Sequence, residues 1–112
     1  MQAASLFEGR DPAALATYQA LLVRLAQVGP FEEQVKSGSI HLARRSAFAG
    51  VHPRKAGILL VVRTAAPIGS PRVRKLERVS ANRWHNEILL NGPDEVDDEV
   101  VAWVLGAYPL AG

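Results

Sequence analysis

Residues 52–55 read His-Pro-Arg-Lys and stand between two apolar stretches, "AFAGV" and "GILLVV". An imidazole and two permanent cations at one corner could receive an anion, or could be the solvated tip of a hairpin. Further along, Arg72, Arg74 and Arg83 add cations, His85 adds a second imidazole, and Trp84 offers an aromatic wall beside it. A guanidinium presents a planar fork of N–H donors that fits carboxylate and phosphate oxygens, so convergence of these residues would point to an anionic ligand. His52, Arg54, Lys55, Arg72, Arg74, Arg83, Trp84 and His85 are therefore the candidate ligand-binding residues.

The charge distribution favours the same region. Residues 36–83 hold eleven of the thirteen lysines and arginines and a single acid, Glu77, whereas five of the eleven acids crowd into Asp94, Glu95, Asp97, Asp98 and Glu99. A basic band on an open sheet face, with Trp84 as a stacking platform, would suit a nucleic-acid backbone. The plainer reading is a hydrated sheet face whose cations keep edge strands from pairing with other chains, partly neutralised by the acidic run.

Other chemistries find less. His41, His52 and His85 lie on or beside three different strands, and their spacing matches no metal-ligand motif. Serines occur in turns and none occupies a G-x-S-x-G elbow. Glu32 and Glu33, adjacent on a strand, point to opposite faces. Asp94, Asp97 and Asp98 would share a face of a helix that began at Gly92-Pro93, where capping and the positive helix end account for them more simply than a cation does. No catalytic residue, metal site or cofactor is expected. There is no cysteine, which removes thiol catalysis, zinc–thiolate sites and disulfides.

These residues need positioning, and a chain of 112 residues supplies one domain, 1–112, with its core over about 11–110. Asp11 can cap a helix whose first residue is Pro12 and whose end is Gly29-Pro30; Leu15, Tyr18, Leu21 or Leu22, Leu25 and Val28 give it an apolar face. From Phe31 the period shortens. "FEEQVK", "IHLARR", "AFAGVH", "GILLVVRT", "RVRKLERV" and "RWHNEILL" read as strands separated by turns, with "AAPIGSP" lengthening one connection and Gly50 marking a bulge or a close backbone approach. Short turns between strands imply antiparallel pairing. Val96, Val100, Trp103, Val104 and Ala107 then stripe a last helix, widened by Val101, Leu105 and Tyr108. The expected fold is α+β: helix, five- to six-stranded mainly antiparallel sheet, helix, with both helices on one face. Val101, Trp103, Leu105 and Tyr108 are candidate interface residues for a homodimer through the last helix. No stretch is apolar for long enough to span a bilayer, and "MQAASLFEGRDP" lacks the pattern of a signal peptide, so a cytoplasmic location is expected.

"FAGVHPRKAGILLVVR", "RVRKLERVS", "EILL" and "DEVDDEVVAWVLGAY" together resemble a bacterial family known as domain of unknown function 5655, over roughly residues 15–110. The resemblance implies an α+β accessory or stand-alone domain and brings no catalytic residues. The order helix–sheet–helix is also similar to the frataxin-like and YjbR-like plaits, although a first-helix acidic ridge of the iron-collecting kind is missing here. The functional expectation is a binding or interaction module whose partner is a protein or a small anion. The alternative is nucleic-acid binding through the basic face, and third comes an enzyme using the His52, Arg54 and His85 region.

Overall fold

The structure is a computed structural model that describes residues 3–112. After a 3-10 turn at Ala3–Phe7, helix α1 runs over Pro12–Leu25. Its start follows the sequence: the Asp11 carboxylate accepts from Ala13 N at 2.9 Å, and Pro12, with no N–H to leave unpaired, opens the first turn. Ala14, Thr17, Tyr18, Leu21 and Leu25 are its buried residues, while Val28 lies beyond the helix and is exposed.

Six strands follow: β1 Glu32–Val35, β2 Ile40–Ala43, β3 Ala47–Pro53, β4 Ile58–Thr64, β5 Val73–Ser80 and β6 Arg83–Leu90. They form one sheet in the order β1-β2-β3-β4-β6-β5, and every neighbouring pair is antiparallel. The fold is α+β with an antiparallel sheet. Strand β6, not β5, lies beside β4, because the loop 65–72 carries the chain past that place to the outer edge. Buried Asn86 holds this loop: its amide donates to Val62 O at 3.0 Å and Thr64 Oγ1 at 2.8 Å, and its carbonyl accepts from Ile68 N at 3.1 Å.

The bulge lies off Gly50. Leu42 pairs with Ala49 and Ala43 with Ala47, so Phe48 is the extra residue. The two-for-one mismatch turns consecutive side chains, Phe48 and Ala49, into the core. Phe48 meets Phe31 edge-on at 5.9 Å and Tyr108 at 5.3 Å between ring centroids. Gly50 keeps regular pairing with His41 and Val61.

A 3-10 turn at Pro93–Glu95 precedes helix α2, Asp98–Ala107, and the chain closes in a 3-10 turn at Tyr108–Ala111. The helix thus starts later than its acidic run suggests. Asp97, in extended conformation, is the cap, accepting from Val100 N at 3.0 Å, and Asp94 belongs to the separate turn, so Asp94, Asp97 and Asp98 do not share a helix face. Both helices contact β3 and β4. Tyr18, Leu21 and Leu25 of α1 and Val100, Val101 and Val104 of α2 join one core cluster with Ile40, Leu42, Val51, Ile58, Leu60, Val62, Ile88 and Leu90.

Alternation along the strands leaves a second set of side chains pointing away from that cluster. Among them Gln34, His41, His52, Val61, Arg63, Arg83, His85, Glu87 and Leu89 are half-buried and Leu59 is buried. We call this the second face.

Candidate functional site

The register fixes what meets what on the second face. Gln34, His41, Gly50, Val61, Glu87 and Lys75 form one row across all six strands. In the row on one side, His52, Leu59 and Leu89 are partners. On the other, Arg63 stands opposite His85, which stands opposite Glu77. Gly50 contributes no side chain, so the middle row has a notch about one methyl group wide between His41 and Val61, with His52 and Arg63 in the rows on either side.

Arg63 is the central charge. Among the described residues, its Nε is the one buried side-chain nitrogen or oxygen without a hydrogen-bond partner, and no carboxylate forms an ion pair with this guanidinium. Burial lowers its pKa, and repulsion from Arg83 lowers it further, yet a guanidinium stays protonated throughout the accessible range. A buried N–H donor left unpaired is costly, and a half-buried cation that has not shed its charge gains from an arriving anion.

The three imidazoles respond to the same field. All are shifted below the ordinary value of 6.5, chiefly by burial. For His41 the next causes are Arg63, Lys36 and His52; for His85 Arg63 comes next, with Arg83 acting in the same sense and Glu77 and Glu87 against it. His52 is lowered further by Arg54 and partly restored by Glu87. Glu87 also lies 4.0 Å from Lys75 Nζ and Glu77 lies 3.9 Å from His85 Nδ1, so the acids gather towards the β5 edge while the notch stays cationic. Among the described residues, no group of three or more His, Cys, Asp or Glu is placed to hold a metal ion.

The structure brings His52, His85 and Arg83 to this face, with Arg54 close enough to His52 to act on it. Arg54 and Lys55 are exposed at the β3–β4 turn. Arg54 donates to Pro53 O at 3.2 Å, and Lys55 O accepts from Asp11 N at 2.9 Å, tying the turn to the start of α1. The other candidates go elsewhere. Arg72 binds Asp97 at 2.9 Å, Glu99 at 3.0 Å and Glu95 O at 3.2 Å, and lies over Trp103. Arg74 is exposed at a bulge in edge strand β5. Trp84, adjacent to His85 on its strand, faces the other way and stacks under Arg78 at 5.5 Å.

Of the residues considered for an interface, Val101 is buried and Trp103 packs against the core. Tyr108 donates to Pro30 O at 2.7 Å, with Arg44 over its ring at 4.2 Å. Leu105 is exposed.

Arg63, His41, Gly50 and Glu87 are the residues of this face that the candidate list lacked. "GILLVV" is apolar at every position except its glycine, so the sequence does not say which face Arg63 takes; the register puts it on the second face. Its meeting with His85 required the β4–β6 pairing, which sequence order conceals.

Residues 3–111 match a family described as a domain of unknown function (DUF5655). The chain belongs to that family. A DUF5655 domain is thus an α+β unit with a six-stranded antiparallel sheet in this chain. The chain is also similar to a protein of Populus trichocarpa bearing the description chloroplastic arginine biosynthesis bifunctional protein ArgJ, with 32% identity over 100 residues. That alignment takes in 88% of this chain and 20% of the plant protein, so the chain spans about one fifth of that relative's length. No solved structure matches the chain. Among the described residues, no helix is long and apolar enough to cross a membrane.

Proposed function

We propose that this DUF5655 domain is a binding module that takes an oxoanion, a carboxylate or a phosphoryl group, in the notch at Gly50 on the second face. The observation that carries the reading is Arg63: a guanidinium with a buried, unpartnered Nε, surrounded by imidazoles and by Arg83 instead of by acids. A glycine in a regular strand is a common way to let a ligand approach a sheet, and Gly50 stands next to that guanidinium in the grid. His41 and His52 would donate or accept at the rim according to protonation. Such a group can be free in solution or carried by an acidic or phosphorylated protein, and a cytoplasmic setting would supply both.

Nucleic-acid binding is the less favoured reading. Three arginines of the basic band, Arg44, Arg72 and Arg78, are already held by Tyr108, by Asp97 and Glu99, and by Trp84, at separate places around the fold. A backbone-tracking surface needs free cations in line.

Calorimetric titration with inorganic phosphate and with succinate tests the proposal. Binding of either should weaken by about tenfold or more in Arg63→Met, as expected for loss of one charge-assisted contact. Equal affinity in wild type and variant, or no binding of either anion at millimolar concentration, sinks the reading.

A further inference from the structure

On the opposite side of β1 from Gln34 lies an open cleft of about 310 Å³, bounded by the Ala3–Phe7 turn, α1 and β1. Its size lies at the lower end of small-molecule sites. Leu15 and Leu22 from α1 and Val35 from β1 give it aliphatic walls, while Tyr18, Gln19 and Glu33 supply polar atoms. The Tyr18 hydroxyl donates to Glu33 Oε1 at 2.6 Å, and the Tyr18 ring is stacked on Phe7 with centroids 5.5 Å apart. Burial, followed by the Glu33 hydrogen bond and charge, raises the phenol pKa far above its ordinary value, so the hydroxyl remains a donor and the carboxylate an acceptor.

The Tyr18–Glu33 pair borders the cleft, and Glu33 keeps a second oxygen, Oε2, for which no partner is found among the described residues. The lining itself suits a cation: Glu33 is its one charged residue, and no lysine or arginine is among the residues that line it. Aromatic stacking against Phe7 fixes the tyrosine, so the acceptor geometry exists before any ligand arrives.

We propose that this cleft is a second binding site, independent of the Arg63 notch, for a small organic cation: a primary amine or guanidine with a short aliphatic body. The cationic head pairs with Glu33 Oε2, and the body lies along Leu15, Leu22 and Val35. The site's selectivity is for charge joined to an apolar stem, because the walls reject a bare hydrated ammonium and the carboxylate rejects an acid of the same length.

Methyl-resolved NMR titration of the full chain with n-butylamine tests this, with n-butanol and butyrate as charge controls. Saturable shifts are expected at the methyls of Leu15, Leu22 and Val35 with butylamine, and weaker ones or none with the controls. Glu33→Gln, which keeps an acceptor for Tyr18 while removing the charge, should weaken butylamine roughly tenfold. Tyr18→Phe, which keeps the carboxylate but loses the hydroxyl that holds it, should weaken butylamine less than Glu33→Gln does. Absence of saturable shifts in wild type overturns the proposal. So does equal binding of butylamine to Glu33→Gln, which would leave Tyr18–Glu33 a structural staple only. The Arg63→Met variant should bind butylamine like wild type, so the two sites fail or stand separately.

Discussion

Arg63 stands opposite His85 across the β4–β6 ladder, so a guanidinium that keeps its charge faces an imidazole whose proton it disfavours. Burial and Arg63 hold His85 below the ordinary value, and His41 is held down by the same two causes in the same order. Above pH 6.5 these imidazoles are neutral in both folded and unfolded chains. As pH falls below that value the unfolded chain takes up protons first, so the unfolded state gains and stability drops, until pH passes below the depressed folded values.

Thermal unfolding followed from pH 7.5 down to about pH 5 should therefore show a falling Tm, the window being set by the three lowered imidazoles. His41 faces Arg63, Lys36 and His52; His52 faces Arg54 and Glu87; His85 faces Arg63, Arg83, Glu77 and Glu87. His41→Gln combined with His85→Gln should flatten the slope. Added phosphate should do so as well, because an anion beside Arg63 favours the protonated rings. A Tm that is constant or rises on acidification through this window is incompatible with imidazoles held neutral by burial and Arg63.

Gly50→Ala separates the notch from the packing of the sheet. A Cβ there would meet Val61 Cβ at 3.9 Å and His41 Cδ2 at 4.0 Å, both ordinary contacts. Replacing glycine in a strand also removes unfolded-state entropy, so stability should hold or rise by about 0.5 kcal/mol. Phosphate affinity should nevertheless fall severalfold, since the methyl group occupies the place of closest approach. Calorimetry and denaturant unfolding on the same preparation check both halves. Unchanged phosphate affinity would place the anion away from Gly50.

How much of this was legible in the sequence differs from element to element. Asp11-Pro12 marked the start of α1, because capping and proline effects act within one turn. The unbroken apolar run of "GILLVV" marked β4 as a central strand, but an unbroken run does not say on which side Arg63 lies. What remained hidden was non-local. No local signal says that β6 rather than β5 borders β4, and so His85 and Arg63 could not be paired. Arg72 and Asp97 are 25 residues apart, and their ion pair, which removes Arg72 from the basic band, exists only once β5 lies near the start of α2. Gly50 was noticed for its type, but a bulge and a ligand notch look alike until the pairing shows Phe48 to be the extra residue.

The Arg72–Asp97 pair leads to a test of the acidic run. Asp97 caps α2 through Val100 N and receives Arg72, and its pKa is lowered first by the backbone hydrogen bond and then by Arg72. Asp97→Ala should cost about 1 kcal/mol, the usual loss for a helix cap, whereas Asp97→Asn keeps an acceptor for Val100 and should cost clearly less. The contribution of the charged form is present above the ordinary carboxylate value of 3.8 and is lost as pH falls through the lower folded value. Guanidinium unfolding of the two variants at neutral pH makes the comparison. If Asn were as damaging as Ala, the ion pair to Arg72, not the cap, would be the main role of Asp97.

Gly57 gives the sharpest structural prediction. It lies just before β4, where Arg54 N donates to its carbonyl at 2.9 Å and closes the turn that carries Arg54 and Lys55. A Cβ at this position would run into the carbonyl of Leu90, a backbone group fixed by its place at the end of β6. A flexible side chain could move aside; a ladder backbone cannot without breaking the Ile58–Leu90 pairing. Gly57→Ala should therefore destabilise by about 2 kcal/mol or more, within the range for overpacking against rigid surroundings. The contrast with Gly50→Ala is what makes the measurement informative, since both glycines belong to the β3–β4 hairpin and a Cβ has room at one and not at the other. Equal stability for both alanine variants would mean that β6 does not approach the turn as closely as the register requires.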